Sequence, residues 1–241
     1  MADKCNKKCR EPEVIKRDTV EYYDERFGKF SQEDVLGRCT NLKRIMDPLI
    51  DFASIKSGDV ILDLGCGPGT LLISLADKFR DTKSYGVDLS QRTLEVASKT
   101  IFNLGLNDVI TLKDGDIEDL PFPDDYFDVI LSQAVINLIP NKKKAFEEIA
   151  RVIKADGRIV ISDCIKKAEV EKSSELWSKC ITGAPSMDEF ETYASDAGLK
   201  IQKTLDLTKD TRDLIENKLW NWPEFLEYDL KYYILKIGIN G

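Results

Sequence analysis

Residues 60–79, VILDLGCGPGTLLISLADKF, constrain the fold more than any other stretch of this chain. An unbroken apolar run bounded by glycines has the character of a buried strand. The run after the glycines is long enough for a helix. A strand that turns through GCGPG straight into a helix is the opening of a βαβ unit, which needs a parallel partner strand. The partners follow in order: KSYGVDL, DVITLKDGD, FDVILSQ and GRIVISD read as strands. Between them lie the helical segments SQRTLEVASKTIFNLGL, capped by Ser90 and ended near Gly105, and NKKKAFEEIARVIKADG. The predicted fold class is α/β, a mostly parallel sheet with helices on both faces.

The flanks extend this core. Residues 1–13 have the composition of a disordered tail, and VIKRDTVEYYDERFGKF and roughly residues 40–54 have helical spacing. Residues 14–55 are therefore expected to form a helical segment capping the site, and residues 56–165 the ligand-binding core. Residues 166–241 are expected to supply the substrate side and the last strands, KIQKTLDL and KYYILKIGI, after the helix SMDEFETYASDAGL.

Charge and residue content narrow the chemistry. The chain of 241 residues has 35 basic and 43 acidic side chains, a formal charge of −8, which disfavours nucleic acid as the main partner. It has no histidine, which excludes Ser-His-Asp and Cys-His catalysis. Apolar runs are too short for a membrane span, and MADKCNKKCREPE lacks the apolar stretch of a signal peptide, so a cytoplasmic protein without membrane partners is expected. The six cysteines are then expected as thiols. Cys5 and Cys9 form C-x3-C in a lysine-rich tail without the second pair that a four-cysteine zinc site needs.

Around the glycine turn stand three acids: Asp63 before it, Asp88 at the end of the second strand and Asp116 after the third. Gly65, Gly67 and Gly69 let backbone approach a ligand, and Thr70 opens a helix whose first N–H groups are free. The turn is not the G-x-G-x-x-G dinucleotide pattern, and no phosphate-loop lysine is present. Such a pocket suits a ligand with a positive centre and no phosphates. S-adenosylmethionine, a sulfonium bearing an amino group, fits better than NAD or ATP.

At VILDLGCGPGT, GVDLS, GDIEDLPFPDDYFDVI and RVIKADGRIVISD, across residues 56–165, the chain resembles the class I S-adenosylmethionine-dependent methyltransferases. The resemblance implies a Rossmann-like, seven-stranded sheet whose last strand, here KYYILKIGI, runs antiparallel. It places the cofactor on Asp63, Gly65, Cys66, Gly67, Gly69, Thr70, Asp88, Leu89, Asp116, Ile117, Ser132 and Tyr23, with Cys66 structural. Tyr22 and Tyr23 suit helix packing first and a lid over the cofactor second.

SQAVINLIPNKKKAFEEIARVIKADGRIVISD and LWSKCITGAPSMDEFETYASDAGL resemble the arsenite methyltransferase branch, in which a cysteine precedes a Gly-Ala pair. Cys180 matches that position, framed by Gly183, Ala184 and Ala197-Gly198, and VEYYDERFGKF with Cys39 matches more loosely. Two thiols usual in that branch are missing here. Trivalent arsenic prefers three soft sulfur ligands, so Cys39, Cys164 and Cys180 are expected to line one pocket, with a depressed Cys180 pKa and glutathione or another thiol as partner. Two further readings stay open: methyl transfer to an organic metabolite with Cys180 as packing, and a non-catalytic thiol sensor of soft ions that binds the cofactor.

Overall fold

The computed structural model describes residues 11–167 and 173–240. Cys5 and Cys9 lie outside the described residues. Three helices, α1 (Pro12–Phe27), α2 (Gln32–Asn41) and α3 (Lys43–Ala53), precede the sheet. The sheet and its helices then alternate: β1 (Val60–Leu64), α4 (Thr70–Lys78), β2 (Lys83–Asp88), α5 (Gln91–Asn103), β3 (Ile110–Asp114), β4 (Phe127–Gln133), α6 (Lys142–Val152) and β5 (Ile153–Ile165). Beyond them come α7 (Ser174–Ser178), α8 (Met187–Asp196), β6 (Leu199–Asp206), α9 (Thr208–Glu216), α10 (Pro223–Glu227) and β7 (Lys231–Ile239).

The seven strands lie in the order β3-β2-β1-β4-β5-β7-β6. β1 to β5 are mutually parallel, and β7 runs antiparallel to both β5 and β6. KYYILKIGI is thus the inserted last strand that the resemblance implied. Alternate residues of β1 serve opposite faces, as the two-residue strand period requires. Ile61 joins the apolar cluster with α3, α4 and α9, whereas Leu62 and Leu64 join the one with α6 and α8. All three are fully buried, so truncating any of them to Ala is expected to cost about 2–5 kcal/mol.

Several boundaries differ from the sequence-based expectation. The tail expected to run to residue 13 gives way to helix at Pro12, a residue suited to a first helical turn. The segment expected over 40–54 is two helices, because Ser31 and Asp34 form a reciprocal capping box that starts α2 and the helix breaks at Leu42. β5 continues past Asp163 to Ile165, because Cys164 pairs with Tyr232 of β7, a partner distant in sequence. Among the described residues no helix is long and apolar enough to cross a membrane.

Helix α1 is held in an unusual way. Ile15 and Phe27 are its buried residues, so little apolar surface anchors it. Polar ties do much of the holding. Lys16 reaches Asp116 at 2.7 Å and Glu118 at 2.8 Å, Ser90 donates to Asp24, and Arg26 donates to the Asn221 carbonyl.

Candidate active site

A cleft of about 1390 Å³, counting solvent at its mouth, opens at the carboxyl ends of β1, β2 and β4 and is roofed by α1 and α2. That is where open parallel sheets bind ligands. Its first end is built by the β1–α4 turn. Gly65 has φ +63°, and a Cβ there would stand 2.5 Å from a Val135 methyl, so both backbone and packing demand glycine. Asp88 fixes the turn from β2: one carboxylate oxygen accepts the Gly67 N–H at 2.9 Å and the other the Ser90 N–H at 2.9 Å. α4 begins at Gly69 without a side-chain cap, leaving its first N–H groups open to a ligand.

Electrostatics at this end favour a cation. Asp63 is buried, and no cation pairs with it among the described residues. Burial and then the neighbouring Asp88 carboxylate push its pKa well up. Burial also raises Asp88, against the two backbone hydrogen bonds. Two carboxyls desolvated side by side regain stability as ions when a positive group enters between them. Asp116, by contrast, is already paired with Lys16.

Asp63, Gly65, Cys66, Gly67, Thr70, Asp88, Leu89, Asp116, Ile117 and Tyr23 all line the cleft. Gly69 and Ser132 do not. Gly69 sits behind the turn as the α4 cap, and Ser132 is buried inside β4 with its hydroxyl unpartnered. Its neighbour Gln133 reaches the cleft instead, with Nε2 buried and unpartnered.

The other end of the cleft is aromatic and holds Cys180 beside Tyr23, Trp220 and Trp222. The Trp222 indole donates to the Lys179 carbonyl at 2.9 Å, which ties this wall to the Cys180 segment. Gly183 seats the segment: a Cβ there would lie 1.9 Å from the Asn137 carbonyl oxygen. Cys180 has φ +62°, contacts the Ala134 carbonyl at 3.6 Å and accepts a hydrogen bond from the Tyr23 hydroxyl. Burial, then Asp163, pushes its thiol pKa well up, the reverse of the depressed value expected for a soft-ion ligand.

The other two thiols do not line the cleft. The Cys164 sulfur is fully buried in β5, 3.0 Å from the Cys180 carbonyl and 2.8 Å from the Asn137 amide nitrogen. Cys39 lies 3.5 Å from the Thr70 carbonyl, among apolar residues packed under α4. Among the described residues no three cysteine or acidic side chains are grouped to hold a metal ion.

Several cleft residues had no signal in the motifs: Lys16, Arg26, Arg38, Gln133 and the tryptophans. Lys16, Thr19, Val20, Tyr23 and Phe27 fall at helical spacing, so Tyr23 alone would have marked their shared face.

A model of the methyltransferase domain matches residues 55–209, well over half of the chain. The chain belongs to the methyltransferase domain family. The methyl donor of that family is S-adenosylmethionine. Relatives of this methyltransferase vary in what they are named for. It is 27% identical over 176 residues to 27-O-demethylrifamycin SV methyltransferase of Amycolatopsis mediterranei, covering 70% of this chain and 64% of that one. It is 31% identical over 156 residues to arsenite methyltransferase of Halobacterium salinarum, covering 62% of this chain and 39% of that one. The methyltransferase thus spans less than two thirds of either relative. Its fold matches geranyl diphosphate C-methyltransferase from Streptomyces coelicolor A3(2) with a TM-score of 0.76 at 17% identity, over 93% of this chain and 98% of that one.

The cleft fits S-adenosylmethionine on its own geometry. Asp63 lacks a counter-ion where a sulfonium or amino group would supply one. The Thr70 hydroxyl and the Gln133 amide are buried in the lining without hydrogen-bond partners among the described residues.

Proposed function

We propose that this chain transfers the methyl group of S-adenosylmethionine to a small organic acceptor seated at the aromatic, Cys180 end of the cleft. The observation that carries the reading is the division of one cleft into an acidic end at Asp63 and Asp88 and an aromatic end at Trp220 and Trp222. The bound cofactor would supply an electrophilic methyl on a sulfonium. The chain supplies placement and exclusion of water. Asp63 and the open N–H groups of α4 hold the charged end of the donor, Asp88 braces the loop, and α1 closes over both. Methyl transfer is an in-line displacement, so aligning acceptor and methyl within about 3–3.5 Å is the main catalytic contribution. Incubation with radiolabelled S-adenosylmethionine and a panel of organic acceptors should give labelled product. S-adenosylhomocysteine that binds without transfer to any acceptor would favour a binding protein instead.

A second reading, methylation of arsenite, has Cys180 in the cleft and the Halobacterium relative in its favour. It requires further thiols from outside the cleft lining, such as glutathione. Labelled methylarsenic formed with arsenite and glutathione, and lost in Cys180→Ser, would establish it. No such product, together with unchanged arsenite binding in Cys180→Ser, would exclude it.

A further inference from the structure

Four cations line the cleft among the described residues: Lys16, Arg26, Arg38 and Lys179. Two of them are neutralised twice over. Lys16 holds Asp116 and Glu118, and Lys179 holds Glu175 and Glu224, each at 2.9 Å. The arginines differ. No carboxylate pairs with either one among the described residues.

Their placement compounds the imbalance. Both guanidiniums sit against one ring, that of Phe27, with Arg26 Cζ 5.6 Å and Arg38 Cζ 4.8 Å from its centre. Arg26 spends two donors on the Tyr22 hydroxyl at 2.7 Å and on the Asn221 carbonyl, both neutral acceptors. The Arg38 Nε is buried with no hydrogen-bond partner. Burial, and next the charge of Arg26, depresses Arg38 to about 10. A buried unmatched guanidinium with a second one beside it is costly unless an anion joins them.

The position of the pair says which ligand supplies the anion. Asn221 lies between Trp220 and Trp222, so Arg26 is tied to the aromatic wall. Arg26 also acts on the Cys180 thiol, and Arg38 on Tyr23, the residue that hydrogen-bonds that thiol. Both arginines therefore belong to the acceptor end, across the cleft from Asp63 and Asp88.

We propose that Arg26 and Arg38 form an anion-binding site, and that the methyl acceptor is an organic acid whose carboxylate they hold while Trp220 and Trp222 cover its apolar body. The planar donor fork of arginine matches a carboxylate. This inference rests on the proposed methyltransferase reading for the word acceptor, but the site itself can be tested without turnover.

The probes are benzoate, indole-3-acetate and 4-hydroxycinnamate, each against its neutral amide. Binding is measured by calorimetry on the full chain, with and without S-adenosylhomocysteine. At least one acid should bind about ten-fold or more tighter than its amide, since the amide forfeits the charge-assisted hydrogen bonds. Arg26→Gln and Arg38→Gln should erase that preference, and Arg38→Lys should keep part of it. S-adenosylhomocysteine affinity should change by less than about two-fold in each, the arginines lying outside the donor end. Equal binding of acids and amides to the wild type overturns the proposal, and needs no variant to fold. So does a panel in which no acid binds at millimolar concentration. A ten-fold loss of S-adenosylhomocysteine binding in Arg38→Gln, with acid binding intact, assigns Arg38 to the cofactor's carboxylate and also overturns it. If S-adenosylhomocysteine fails to bind the wild type, the cofactor reading falls, and the comparison made without it still decides the anion site.

Discussion

The Tyr23 hydroxyl donates a hydrogen bond to the Cys180 sulfur, joining the first helix of the chain to the segment that follows β5. Cys180 is held in a left-handed conformation at φ +62°, which costs a non-glycine residue about 1–2 kcal/mol, so its surroundings must fix it there. Tyr23 is one fixing contact and the Ala134 carbonyl another. Tyr23 and Arg26 also both lower the Cys180 pKa against the dominant effect of burial. Tyr23→Phe should therefore raise that pKa further and slow alkylation of Cys180 by iodoacetamide, mapped by mass spectrometry. Its stability should fall by about 1 kcal/mol in urea, the net worth of one buried hydrogen bond. Faster alkylation would contradict the contact.

Asp88 offers a second test, at the cofactor end. Each of its oxygens takes a backbone N–H, from Gly67 and from Ser90. An amide presents one oxygen and one NH₂, so Asp88→Asn sets a donor against a donor on one side. S-adenosylhomocysteine affinity should drop at least about ten-fold, because the loop that receives it loses its brace. Unchanged affinity by calorimetry would show that the loop holds its shape without Asp88.

Lys16 clamps α1 to the loop after β3 through two carboxylates, Asp116 and Glu118. All three side chains are well sheltered, with 15%, 27% and 7% of their surface exposed. Lys16→Met leaves two carboxylates facing each other and should cost about 2 kcal/mol, between the values for exposed and buried pairs. With few apolar anchors, α1 should then open locally before the sheet does. Hydrogen exchange should rise over residues 12–27 and stay unchanged in β1 and β4. Uniform protection in the variant would show that packing alone retains the helix.

The β1–α4 turn and the parallel sheet were legible in the sequence because local signals specify them. Period, glycine and strand-end acids all fall within a few residues of VILDLGCGPGT. The acceptor end was legible only at Cys180. Arg26 and Arg38 sit in helical segments, where an arginine is ordinarily solvated, and the sparse apolar face of α1 did not mark which side turns inward. Cys164 was expected just beyond the fifth strand. Its pairing with Tyr232, some 70 residues on, extends β5 and buries the thiol behind Cys180. Such register is set by a distant strand, which no local pattern reports.

Behind Cys180 lies a buried pair whose titration should mark the stability of the whole domain. The Asp163 carboxylate accepts the N–H of Cys164 at 2.8 Å and of Asn137 at 3.2 Å, yet burial outweighs these bonds and pushes its pKa from 3.8 up to about 7. Lys142 donates to the Ile139 carbonyl at 2.9 Å, and burial pushes it from 10.5 down to about 8, against the attraction of Asp163. The folded chain holds the Asp163 proton more tightly than the unfolded chain does. Its contribution is therefore complete below pH 3.8 and is lost as pH rises to about 7. For Lys142 the folded chain holds the proton less tightly. Its contribution is complete above pH 10.5 and is lost as pH falls to about 8. The two slopes meet in a shallow minimum between about pH 7 and about pH 8, where both groups are charged in the folded state. Urea midpoints measured from about pH 5 to about pH 10 should trace that minimum. Lys142→Met should flatten its alkaline limb and Asp163→Asn its acid limb, each judged by slope and not by absolute stability. A wild-type profile that peaks in this interval, with the same slopes in both variants, would mean that neither group titrates across the range.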